Sequence, residues 1–93
     1  MIRSQHRNVT AVDKALYLWT LCTIEWMTER QEPISNNNLD RLFSEKIKNT
    51  FNLYREIAID FKDLAPGGTT LTAKGQRVVN SWRRHHERIY SID

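Results

Sequence analysis

Lys46, Lys48, Asn49, Asn52 and Arg55 are the residues whose types and spacing most readily do chemistry in this chain. Counted at 100° per residue, Phe51, Tyr54, Ala58 and Phe61 lie within about 40° of Ile47, an apolar stripe that Leu53 and Ile57 widen on one side. The opposite face carries Lys48, Asn49, Asn52, Arg55 and Glu56. An Asn amide can pair with adenine through two hydrogen bonds, and Lys or Arg with guanine or with phosphate. A helix presenting that set suits the major groove of duplex DNA. A plain solvated face has the same composition, so the segment after it matters.

That segment runs from Lys62 to Thr72. Pro66-Gly67 fits the centre of a type II turn, with Pro setting φ and Gly supplying a positive φ. Thr69 to Thr72 reads as a short strand, and Lys62 to Ala65 can supply its partner. At the tip of this hairpin, Gly67 and Gly68 let backbone amides come close to phosphates, and Thr69 and Thr70 add hydroxyl donors. Lys74 and Arg77 follow on the next helix. Gly67-Gly68 lacks the Gly-Lys-Ser/Thr ending of a nucleotide-binding loop.

Other candidate chemistry is thin. His85 and His86 are adjacent, so on a helix they point about 100° apart, whereas ligand pairs prefer a spacing of four. Glu25 and Glu29 sit on a helix with no glycine-lined pocket nearby, and Cys22 lies on an apolar face, where a thiol acts as a small hydrophobe. The expectation is no catalysis, no metal, no cofactor and no small-molecule ligand.

The elements that must position these residues follow from periodicity and capping signals. A first helix spans about Thr10 to Arg30, with Thr10 and Asp13 close to a capping box. One of its stripes holds Val12, Ala15, Leu16, Trp19, Cys22, Trp26 and Met27; a second holds Tyr17, Leu21, Ile24 and Thr28. A helix apolar on two sides must be covered on both. In so short a chain a second copy is the readiest cover, so a homodimer is expected through Tyr17, Leu21, Ile24, Trp82 and Ile89. Glu32-Pro33 ends the first helix. Ser35 then caps a short helix, Asn36 to Phe43, and Ser44 caps the third, reaching Asp60 or Phe61. Thr72 caps the last, Ala73 to about Tyr90, whose apolar stripe is Val78, Val79, Trp82, His86 and Ile89.

The chain has 93 residues, with 14 Lys and Arg against 11 Asp and Glu. This length suits one domain over residues 1–93, with residues 1–8 as a flexible arm. The apolar stretch Ala15 to Ile24 is far short of the roughly 20 residues of a membrane span. A single Cys allows no internal disulfide, which fits the cytoplasm. Charge is uneven: residues 31–62 are balanced, whereas Lys74 to Arg88 holds five basic residues and one acidic.

Helix, short helix, amphipathic helix, glycine-tipped hairpin and basic helix is the order of a winged helix-turn-helix. The expected fold is thus mostly α with a small β-hairpin, about four helices plus a two-stranded wing. The run Gly68-Thr69-Thr70-Leu71-Thr72-Ala73-Lys74-Gly75-Gln76-Arg77 resembles the end of the wing in winged-helix regulators of the MarR, PadR and ModE types, through its Leu-Thr-x-x-Gly core. Pro33-Ile34-Ser35 is similar to the start of their helix-turn-helix. The chain departs from them at Asn38 and Phe43-Ser44. The resemblance implies a small regulator of transcription that reads double-stranded DNA with its third helix and wing. The rival expectation is a protein-binding module of the same shape, favoured by Asp40, Glu45 and Glu56 near the reading face, since a fold does not dictate its function.

Overall fold

The structure, a computed structural model, describes the backbone of residues 11–90 and the side chains of residues 13–84. The expected arm and the cap at Thr10 lie outside the described residues. Four helices follow one another: α1 (Ala11–Glu29), α2 (Asn36–Leu42), α3 (Glu45–Asp60) and α4 (Ala73–Tyr90). α1 packs against both α3 and α4, and α2 packs against α3.

Capping chemistry explains where the helices begin. The Ser35 hydroxyl accepts from the Asn38 N–H at 3.3 Å, Ser44 from Ile47 at 3.4 Å, and Thr72 from Gly75 at 3.0 Å. These contacts satisfy N–H groups that a helix leaves open at its start. α1 and α3 end alike. Glu32 N–H donates to Met27 O and Gln31 N–H to Thr28 O; Asp63 N–H donates to Ala58 O and Lys62 N–H to Ile59 O. This is the Schellman pattern, which puts its C′ residue in the left-handed region. Glycine usually fills that position, but here Gln31 (φ 58°) and Lys62 (φ 69°) do.

The core joins Leu21, Ile24 and Met27 of α1 to Leu39, Phe51, Ala58, Leu64 and Val79. Trp19, Phe43 and Phe51 form a ring cluster with centroids 5.7 Å apart. Two expectations about packing change. The α1 stripe assigned to a second subunit is the centre of this core: Leu21 and Ile24 are fully buried within the single chain. Ala15 and Trp26, from the other stripe, are exposed, while Met27 of that stripe is buried. Thr20 explains the error. It reads as polar, yet it is fully buried, its hydroxyl donating to the Leu16 carbonyl at 2.8 Å. Counting it as apolar moves the buried face to Thr20, Leu21, Ile24 and Met27.

The two-stranded wing is also corrected. Among the described residues there is no strand; Leu64 and Leu71 meet in an isolated antiparallel bridge. The bridge is flanked by Ala65 N–H to Thr70 O at 2.9 Å and Thr72 N–H to Asp63 O at 3.0 Å. It cannot lengthen in either direction. Towards the tip, Pro66 lacks a donor and Gly68 N–H closes a turn onto Ala65 O at 2.8 Å. Towards the base, Lys62 is turned left-handed to end α3 while Thr72 caps α4. The positive φ falls on Gly68 (73°), not on Gly67 as a type II turn would require. Among the described residues the fold is four helices with a singly bridged loop, in place of the expected four helices plus a two-stranded wing.

Candidate nucleic-acid interface

α3 was expected to present five reading residues, and three are engaged inside the molecule. The Lys48 ammonium lies 2.5 Å from an Asp40 carboxylate oxygen of α2. The Arg55 Nε donates to the Gly68 carbonyl at 2.9 Å and its Nη1 to the Asn52 side-chain oxygen at 2.7 Å. The guanidinium also stands 5.6 Å from the Phe51 ring centroid. Burial lowers the Arg55 pKa, opposed by the charge of Glu56. Arg55 and Asn52 therefore clamp the loop to α3. Lys46 and Asn49 are exposed, and their side chains have no hydrogen-bond or ion-pair partner among the described residues. Ile47 and Leu53, read as core, are 45% and 53% exposed.

In the loop, Gly67, Thr69 and Thr70 are exposed, as a phosphate-touching tip requires. Gly68 is buried against α3: a Cβ there would meet Arg55 Nη2 at 3.1 Å and Ile59 Cδ1 at 3.2 Å. Lys74 is half committed, its ammonium 2.5 Å from the Phe61 carbonyl and 3.3 Å from Asp63. The Asp63 carboxylate is buried and also accepts the Tyr17 hydroxyl. Burial raises the Tyr17 pKa, and the bond to Asp63 with its negative charge adds to the rise.

The open positive face is on α4. Arg77 and Arg84 are exposed and lie seven residues apart, two turns along one side of the helix. Neither has an ion-pair partner among the described residues. They line a surface hollow of about 550 Å³ with Asn80, Ser81 and Arg83. Between Ala73 and Arg84 the chain has no acidic residue. Arg83 is tied differently: it pairs with Glu25 of α1, which also accepts from Gln76 Nε2 at 2.6 Å. Burial opposes the charge on Glu25, but the hydrogen bonds from Gln76 and Arg83 and the guanidinium charge outweigh it, so its pKa is lowered. The hydrogen bond to Glu25 raises that of Arg83.

Arg77 was singled out from sequence, whereas Arg84, Asn80 and Ser81 were not. The available signal was the spacing of seven between Arg77 and Arg84 with hydrogen-bonding residues between them. Of the residues assigned to a dimer contact, Leu21 and Ile24 are in the core. Tyr17 is half-buried and edge-on to Phe61, with centroids 5.9 Å apart, and Trp82 is half-buried. The Ile89, His85 and His86 side chains lie outside the described residues. Among the described residues no group of three His, Cys, Asp or Glu could hold a metal, and no helix is long and apolar enough to cross a membrane.

No protein-family model, curated protein or solved structure matches the chain. What it does rests on what these side chains can touch.

Proposed function

We propose that the chain is a small cytoplasmic DNA-binding regulator that grips duplex phosphates with the outward face of α4 and offers Lys46 and Asn49 of α3 to the bases. The observation that carries this reading is the pair Arg77 and Arg84: exposed, without an ion-pair partner among the described residues and two turns apart, with Ser81 and Asn80 between them as hydrogen-bonding groups. Guanidinium groups suit phosphate because their donors match its oxygens two at a time. Phosphate contacts set register and affinity, and base contacts set specificity. Lys46 can take guanine or phosphate, and Asn49 adenine. Thr69 and Thr70 add hydroxyls at the exposed loop tip.

A mobility-shift titration against salt tests the reading. Affinity for duplex falls steeply with salt, and removing one phosphate contact flattens the logarithmic slope by about one. Arg77→Ala and Arg84→Ala are each expected to do so for every duplex sequence. Lys46→Ala and Asn49→Ala instead change sequence preference. Salt-independent affinity, or unchanged slopes in both arginine variants, would refute the proposal. A protein-binding role draws on a different observation, the exposed Trp26, Ile47 and Leu53. In that case no duplex would shift at physiological salt.

A further inference from the structure

A second hollow, of about 600 Å³, adjoins the first on α4 and shares Arg77 and Ser81 with it. Its remaining lining differs in kind: Leu18 of α1 with Val78 and Trp82 of α4 give it an apolar floor, and Lys74 adds charge at the rim. Leu18, Val78 and Trp82 are each partly exposed. Phosphate gains nothing from such a floor, because removing an ionic oxygen from water without a charged partner is costly. The DNA reading therefore leaves half of this face without a role.

We infer that this groove is a docking site for an acidic peptide segment of a partner protein, one that presents a single large apolar side chain between carboxylates. The apolar side chain enters between Leu18, Val78 and Trp82, where covering partly exposed apolar surface favours binding. The flanking carboxylates meet Arg77, which has no ion-pair partner among the described residues, and the exposed edge of Lys74. The absence of any acidic residue from Ala73 to Arg84 supplies the charge complementarity, which also speeds encounter. Since Arg77 lines both hollows, the peptide and duplex DNA compete. The competition rests on the DNA reading above, whereas the peptide site does not.

The test uses the full chain and two fluorescein-labelled peptides of equal length and charge, each with six Asp or Glu around a central position. One carries Leu there and the other Ser. Anisotropy is expected to show the Leu peptide binding about tenfold more tightly, the scale of one buried apolar side chain. Arg77→Ala, a change at an exposed site, weakens the Leu peptide about tenfold. Leu18→Gln removes the preference for Leu over Ser while leaving duplex binding intact. Equal affinity for the two peptides, or an Arg77→Ala variant that binds the Leu peptide as well as the parent, overturns the inference. So does binding to vesicles of anionic lipid with no binding of the Leu peptide. A Leu peptide that binds beside duplex without displacing it, and whose preference survives Leu18→Gln, removes the peptide from this groove. If the Leu preference holds and no duplex binds, the groove stands and the DNA reading falls.

Discussion

Replacing Gly75 with alanine puts a methyl group where the backbone leaves no room. A Cβ at that position would lie 2.0 Å from the Asp63 carbonyl oxygen, 2.9 Å from its carbon and 3.2 Å from the Asp63 Cα. Even close C–H···O contacts keep carbon and oxygen about 3.3–3.6 Å apart, so α4 and the loop must separate by more than about 1 Å. No rotamer change relieves the clash, because the obstacle is main chain. The same carbonyl accepts the Thr72 N–H at 3.0 Å, one of the two bonds that flank the bridge. Forcing extra atoms into a packed site costs about 1–3 kcal/mol, and losing that hydrogen bond adds about 1 kcal/mol. Alanine's better helix propensity returns up to about 1 kcal/mol. The net loss is about 1–3 kcal/mol, which at roughly 4–8 °C per kcal/mol for a domain of this size lowers Tm by roughly 4–24 °C. Urea unfolding followed by circular dichroism measures it. Gly67→Ala is the control: its nearest contact would be Thr69 Oγ1 at 3.9 Å, so a change within about 0.5 kcal/mol is expected. A Gly75→Ala chain as stable as the parent would refute the close approach of α4 to Asp63.

Three further outcomes follow from the same geometry. Lys62→Gly relieves a left-handed non-glycine residue, worth about 1–2 kcal/mol, against roughly 0.5–1 kcal/mol of added chain entropy. The urea midpoint should therefore rise. Tyr17→Phe keeps the ring against Phe61 but removes the hydroxyl that serves the buried Asp63 carboxylate; a loss of about 1–3 kcal/mol is expected in the same unfolding assay. Glu25 has a folded pKa below its ordinary 4.5. Its ionised contacts with Gln76 and Arg83 therefore contribute fully above that value, and the contribution is lost as pH falls through the lower folded pKa. Glu25→Gln should reduce stability at neutral pH and flatten its decline in acid, as read from urea midpoints between about pH 6 and 2.

Much of the helical framework was legible because its signals are local. Ser35, Ser44 and Thr72 mark helix starts by side-chain chemistry, and Phe51, Tyr54 and Ala58 repeat at helical spacing; all three of those apolar residues are buried. What was not legible depends on several elements at once. Periodicity could not tell that Leu21 and Ile24 meet the rest of their own chain, because both α1 stripes carry large apolar residues. Thr69 to Thr72 has strand-forming residues, but whether a ladder grows depends on how α3 ends and α4 begins on either side. The reading face of α3 was chosen by residue type, and type does not reveal that Asp40 from the preceding helix neutralises Lys48 or that the Gly68 carbonyl holds Arg55. Conversely, Arg84 reads as one more surface cation until the absence of an ion-pair partner among the described residues sets it apart.

The Leu-Thr-x-x-Gly core of the stretch that resembles winged-helix regulators has a structural explanation of its own. Leu71 makes the bridge to Leu64, and the Thr72 hydroxyl donates to the Lys62 carbonyl at 2.6 Å while its oxygen caps α4. Lys74 reaches back to the Phe61 carbonyl at the end of α3, and Gly75 lets α4 lie against Asp63. Leu-Thr-x-x-Gly is thus a device for closing a loop and starting a helix tightly upon it, and it needs no wing. DNA contact cannot be inferred from Leu71, Thr72 and Gly75, because each is already occupied. The same reasoning applies to charge. A surplus of cations says little about a partner until internal pairs are removed, and that removal leaves Lys46 on α3 together with Arg77 and Arg84 on α4 among the cations available for contact. If this chain binds an anionic partner, α4 supplies most of the grip and α3 at most two polar side chains, a division that the balanced charge of residues 31–62 and the basic excess of Lys74 to Arg88 already favour.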